Sequence, residues 1–202
     1  MKTKEFWNAE VTLESWKKLT QITKEFDFIL IGGWAAYLWT KTHKSKDIDI
    51  VVDYKTLDIL KQRYTLIKNE RLRRYEIKEG KYDIDVYVSH YSSLTVPVEQ
   101  LANHTTTIEG ITTISSEMLI ILKQGAEIDR GSSIKGKKDA IDILTILIYS
   151  GFERSKYRTL IKEFKLEYLE KELERVVKSF DESDLQYIGL DHQQFVNWKK
   201  EF

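Results

Sequence analysis

Two pairs of aspartates carry the chemistry that this sequence offers. In DIDIVVD, Asp47 and Asp49 stand two residues apart, and in YDIDVYVS so do Asp83 and Asp85. A strand sends alternate side chains to opposite faces, so each pair leaves one face while Ile48, Ile50, Ile84 and Val86 leave the other. Hard divalent ions such as Mg2+ or Mn2+ take carboxylate oxygens, and paired ions stabilise the attacking and leaving oxygens of a displacement at phosphorus. Asp47 and Asp49 are therefore expected metal ligands. Asp85 is the expected third carboxylate, placed to bind one ion and to accept the proton of an attacking hydroxyl. Asp83 lies on the same face and competes for this role; the apolar alternation continuing through Val86 and Val88 favours Asp85.

A phosphate cradle stands upstream. Gly32-Gly33 follows the apolar run 28–31 and opens a helical run over about 34–40. Glycines let backbone amides approach phosphate oxygens, and the helix behind adds its dipole. Ser45 is a hydroxyl donor for the same phosphates, and Lys44 and Lys46 add positive charge. A nucleoside triphosphate is the substrate that these groups suit. Alone, a Gly-Gly is usually a turn, and an Asp-x-Asp a solvated edge. Here the acids open an otherwise apolar strand, where isolated charge is costly, and they follow a strand–Gly-Gly–helix unit.

The elements that must position these residues read as follows. Residues 9–26 form a helix with Val11, Trp16, Leu19 and Ile22 inward and Asn8 or Thr12 as cap. Strands at 28–31 and 47–52 flank the Gly-Gly helix, in which Trp34, Tyr37 and Trp39 read as core. Asp53 caps a helix over 54–67, with Leu57, Leu60, Tyr64 and Ile67 inward. The basic segment with Lys68, Arg71, Arg73 and Arg74 reads as solvated surface or as an RNA-facing patch. A hairpin spans 76–79 and 82–89 around Gly80. Pro97 opens a short helix over 97–103, and small strands occupy 105–115. From Ser116 onward the pattern is helical: 116–129, 138–150, 153–163, 166–180 and a short pair after Asp181. The expected fold is α+β: a mixed sheet flanked by helices (1–115), with a helical C-terminal part (116–202) packed on it.

Composition sets outer bounds. The 202 residues are 42% hydrophobic, 32% charged and formally neutral, with no cysteine. Zinc-thiolate sites and disulfides are excluded, and no global field draws the chain onto nucleic acid. No run of eighteen apolar residues occurs and the start lacks an apolar signal core, so a cytoplasmic protein with no membrane partner is expected. His43, in the turn before the acids, reads as an exposed loop histidine.

GGW-x(12)-DID followed by IDVYV resembles the DNA polymerase β-type nucleotidyltransferase superfamily over about residues 25–150. Within it the chain looks most like the AbiEii group, the toxin half of type IV toxin–antitoxin pairs. SKDIDI matches that group's serine two before the first acid, and MLIILKQGAEIDR…KKDAIDILTIL resembles its helical signature. The resemblance implies that Lys123 contacts nucleotide phosphates, that Arg130 does so too or orients the following loop, and that Lys138, Asp139 and Asp142 belong to the last motif, with Asp142 serving catalysis or positioning the lysine. It implies NMP transfer from an NTP to an RNA 3′ end, such as that of tRNA, or to a protein side chain, and a cognate antitoxin as partner. Aminoglycoside and lincosamide nucleotidyltransferases share a similar GGW…DID stretch, which makes a small-molecule hydroxyl the rival acceptor. A degenerate domain that binds nucleotide or a partner without turnover is the non-enzymatic alternative.

Overall fold

A computed structural model describes residues 9–202; Asn8, one of the two candidate caps, lies outside the described residues. Helix α1 (Ala9–Ile22) buries Thr12, Ser15, Leu19 and Ile22. Thr12 lies within the helix and donates to the Ala9 carbonyl (3.0 Å). Ser15 accepts the indole N–H of Trp34 (2.7 Å), which satisfies both groups inside the core.

The chain then builds β1 (Ile29–Ile31), α2 (Gly32–Thr40), β2 (Ile48–Val52), α3 (Tyr54–Arg63), β3 (Leu66–Asn69), β4 (Arg74–Lys78) and β5 (Asp83–Val88). A 3-10 helix, Val98–His104, leads to β6 (Thr105–Ile108) and β7 (Ile111–Ile114). All strands join one mixed sheet in the order β3-β4-β5-β2-β1-β7-β6. The middle strand, β2, is antiparallel to β1 and parallel to β5. Its Ile48, Ile50 and Val52 are buried in the core, while Asp47 and Asp49 lie toward the opposite face, as the alternation requires.

After β7 everything is helical: α4 (Ser116–Arg130), α5 (Ile134–Tyr149), α6 (Arg154–Glu163), α7 (Tyr168–Ser179), α8 (Leu185–Ile188) and α9 (His192–Glu201). Ser115 and Ser133 cap α4 and α5, accepting from Met118 N and Gly136 N. One hydrophobic core runs from Leu19 through the sheet to Phe195, with Trp34 fully buried and Trp39 packed against it. Among the described residues no helix is long and apolar enough to cross a membrane.

Three elements depart most from the sequence reading, the first helix by ending at Ile22 and not at 26. The helix after Asp53 ends at Arg63, not at 67, and Leu66–Asn69 becomes an edge strand paired with β4. Ile67 is consequently 46% exposed on a strand instead of inward on a helix. Backbone pairing with β4 outweighs the continuing apolar spacing. Helix α5 starts at Ile134, four residues before the expected 138, because Ser133 supplies the cap.

Candidate active site

Parallel pairing of β2 with β5 sets Asp49 directly beside Asp85, with Ile48 beside Ile84 behind them. Antiparallel pairing then places Glu76 of β4 beside Asp85. Asp47, just before β2, accepts the backbone N–H of Asp83 (3.1 Å). The side chain of Asp83 pairs with Lys78 (2.8 Å), and Asp83 also lines the cleft.

Gly32 and Gly33 make the other wall. Gly32 has φ +70°, and a Cβ there would stand 2.2 Å from Asp49 Oδ2. A Cβ on Gly33 would stand 2.5 Å from Ser45 Oγ, and Lys138 Nζ lies beyond it at 3.5 Å. No side chain caps α2, whose preceding residue is Ile31, so its first N–H groups remain available to an anion. Ser45 is buried and donates to the carbonyl of Asp47 (3.1 Å). Gly32→Ala is expected to cost about 1–2 kcal/mol in backbone strain and to push the Asp49 carboxylate out of place. Calorimetric unfolding and a nucleotide-binding titration would check both effects.

The helices α4 and α5 close the cleft, which measures about 220 Å³ and is lined by Asp47, Asp49, Asp85, Lys123, Arg130 and Lys138 among others. Lys123 is buried, bonded to Asp142 Oδ2 (2.5 Å) and Asp139 Oδ1 (3.1 Å). Burial alone would neutralise this lysine, but Asp142 and Asp139 hold it charged, above the ordinary lysine range. Arg130 Nη1 reaches the other Asp139 oxygen (2.6 Å). Lys138 is shifted the opposite way: burial lowers its pKa, and Lys123 adds to that against the pull of Asp142.

The acids are electrostatically loaded. Burial outweighs the pull of Lys123 and Arg74, so the Asp49 carboxyl is raised above its usual range. Burial and the neighbouring Asp49 push Asp85 up to about 8, against the pull of Arg74. Asp85 Oδ2 pairs with Arg74 Nη1 (2.8 Å), whereas its buried Oδ1 has no hydrogen-bond partner.

A divalent metal fits this donor chemistry: hard oxygens, two carboxylates side by side, and one buried oxygen without a partner. Among the described residues, no group of three or more carboxylate, imidazole or thiol ligands stands ready-assembled around one point.

The structure thus gathers Gly32, Gly33, Ser45, Asp47, Asp49, Asp85, Lys123 and Arg130 around one cleft. Asp139 also lines it. Asp142 does not: it is 2% exposed and lies behind Lys123. Arg74 leaves the surface patch in which the sequence placed it and enters the cleft beside Asp85. Of that patch, Lys68 pairs with Glu70 (2.6 Å), and Arg73 donates to the Tyr91 carbonyl (2.9 Å). His43 is half-buried, bonded to the Tyr187 carbonyl of α8, so it is no exposed loop residue. Lys135, Leu94 and Leu122 line the cleft without having been singled out. For Arg74 a signal existed, since it alternates with Glu76 and Lys78 on one face. Lys135 had none, because only the α4–α5 turn brings it there.

No family model matches the sequence, and a search of curated proteins found no match. Among solved structures, the crystal structure of ANT(2″)-Ia in complex with adenylyl-2″-tobramycin matches with a TM-score of 0.53 at 16% identity, covering 80% of this chain and 99% of that one. The solution structure of the antibiotic-resistance factor ANT(2″)-Ia matches with a TM-score of 0.54 at 15% identity, covering 82% and 96%. The chain has a nucleotidyltransferase-type fold, with a seven-stranded mixed sheet flanked by helices and followed by more helices.

Proposed function

We propose that this protein is a metal-dependent nucleotidyltransferase that moves NMP from an NTP to a hydroxyl acceptor. The observation that carries this reading is the direct pairing of Asp49 with Asp85, next to glycines that admit no side chain and across a cleft from Lys123, Arg130 and Lys138. Asp47, Asp49 and Asp85 would hold Mg2+ or Mn2+. Such ions, when bound, stabilise charge on the attacking and leaving oxygens. The chain's own groups do the rest. The amides of Gly32 and Gly33, Ser45 and the cleft cations bind the triphosphate; Asp139 and Asp142 position Lys123. The acceptor oxygen forms its bond to the α-phosphorus, the α–β bridging oxygen leaves with pyrophosphate, and Asp85 takes the hydroxyl proton. A carboxyl raised toward neutrality suits that last task.

The acids beyond the Asp47–Asp49 pair are matched by cations of this chain: Asp83 by Lys78, Asp85 by Arg74, Asp139 by Lys123 and Arg130. This leaves little negative charge to receive a polycation and supports a neutral or anionic acceptor, such as an RNA 3′ end or a protein hydroxyl. It agrees with the AbiEii-like motifs and with a toxin restrained by an antitoxin. The overlap with ANT(2″)-Ia over nearly the whole of that chain supports the second reading, a small-molecule hydroxyl.

The test is label transfer. Each α-labelled NTP is incubated with Mg2+ and, separately, with tRNA, total protein or an aminoglycoside panel, beside an Asp47→Ala/Asp49→Ala control. Label on one acceptor, absent from the control, is expected and identifies the acceptor class. Label in the control as well, or NTP that fails to bind, would refute the assignment of the acids.

A further inference from the structure

We infer that Glu76 is a positioning residue of this site: it anchors Arg74, which in turn fixes Asp85 so that Oδ1 alone is left to take a ligand. The inference rests on the reading of Asp85 as a metal ligand. Glu76 does not line the cleft and touches neither acid of the Asp-x-Asp pair in any hydrogen bond. It is nevertheless a buried carboxylate, 6% exposed, on the strand next to Asp85. Charge in that position is costly unless it does something for its neighbours.

Its bonds show what it does. Glu76 Oε1 accepts both Nε (3.1 Å) and Nη2 (3.0 Å) of Arg74, and Asn69 Nδ2 (2.9 Å). Two N–H groups on one oxygen hold the guanidinium plane and leave Nη1 as the free end of the fork. That end donates to Asp85 Oδ2 (2.8 Å) and to the Tyr87 hydroxyl (3.2 Å). The Tyr87 hydroxyl in turn donates to Asp49 Oδ1 (3.5 Å). One chain of contacts thus runs from Glu76 across three adjacent strands to the two central acids. Glu76's other oxygen, Oε2, pairs with Lys78 (2.9 Å), a contact that does not involve Arg74. This separation lets the positioning role be tested apart from simple burial of a salt bridge.

The consequence falls on Asp85. With Arg74 locked, Oδ2 is committed, and Oδ1, buried and without a hydrogen-bond partner, is the oxygen left to take a ligand. With Glu76 gone, the guanidinium swings on its stem, the carboxylate rotates, and both oxygens compete for Arg74 and for the ion. Groups that orient a ligand in this way typically contribute 10–100-fold to metal affinity or activity.

The experiment is a Mn2+ titration, read by the electron paramagnetic resonance signal of free Mn2+, with no turnover required. Wild type, Glu76→Gln, Lys78→Met, Asp85→Asn and the double variant Glu76→Gln/Asp85→Asn are compared, with circular dichroism confirming the fold of each. Glu76→Gln is expected to weaken Mn2+ binding about 10–100-fold, Lys78→Met by less than about twofold, and Glu76→Gln to add nothing in the Asp85→Asn background. In steady-state transfer, kcat is expected to fall with KM for NTP unchanged, because the phosphate-binding lysines are untouched. Unaltered Mn2+ affinity in Glu76→Gln, equal loss in Lys78→Met, or additive loss in the double variant would overturn the inference. So would a wild-type protein that binds no Mn2+. Mn2+ binding that depends on Glu76 with no NTP ever transferred would keep the inference and remove the enzymatic reading instead.

Discussion

Asp49→Ala is expected to abolish NMP transfer, with kcat lower by about 10³-fold or more, while the fold stays as stable as before or becomes more so. The two effects share one cause. Folding buries Asp49 beside Asp85 and near Asp47, and the carboxyl is raised because its ionised form is disfavoured there. Removing a group held in an unfavourable state relieves the fold and at the same time removes a proposed metal ligand. The pH dependence follows the same sign for Asp85, raised from 3.8 to about 8. A carboxyl whose folded pKa is raised contributes stability in full below its unfolded value, and that contribution is lost as pH rises through about 8. Thermal unfolding in EDTA is therefore expected to show wild type losing stability from mildly acidic to mildly alkaline pH, and Asp85→Asn losing less. Added Mg2+ is expected to restore stability in wild type but not in Asp49→Ala. A variant that retains transfer, or that unfolds well below wild type, would contradict the assignment of Asp49.

Lys123→Met is expected to be among the most destabilising single substitutions in the chain, at about 3–5 kcal/mol. The lysine is 7% exposed, and Asp139 and Asp142 are each 2% exposed. Without it, Asp142 loses its direct salt bridge, though Lys138 still attracts it, and Asp139 keeps Arg130. Buried carboxylates cannot be resolvated without opening the α4–α5 interface. For a chain of this length the loss corresponds to about 10 °C in Tm. The double variant Lys123→Met/Asp142→Asn is expected to recover part of that stability, because it removes a buried carboxylate that has lost its direct salt bridge, and to recover no activity, because the proposed phosphate contact stays lost. Scanning calorimetry and label transfer separate the two. Equal stability of single variant and wild type would show that the network is not the buried ionic unit drawn here.

The site was more legible than the surroundings that tune it. That Asp47 shares a face with Asp49, and Asp83 with Asp85, follows from alternation alone, because in a strand residue parity decides the face. Gly32-Gly33 follows from steric need, and the structure supplies the particular reason: Asp49 and Ser45 occupy the space a Cβ would take. Between Asp83 and Asp85, which share a face, the apolar alternation continuing through Val86 and Val88 favoured Asp85. Register sets Asp85 opposite Asp49, while Asp83, paired with Lys78, lines the same cleft.

Local signals also misled where a longer-range partner won. Apolar spacing ran the helix after Asp53 through Ile67, but β4 claimed Leu66–Asn69 by backbone pairing. Charge density made Arg74 one of a basic surface run, but Glu76 and Asp85 drew it into the cleft. Asp142 looked equivalent to Asp139 by helical spacing, yet Asp139 lines the cleft and Asp142 lies behind Lys123. Residue type and period, then, determined which groups are available and which face each one leaves. Which of them meet was decided by strand register and by the packing of α4 and α5 on each other and on α2, because contacts between residues distant in sequence depend on packing that no local pattern encodes.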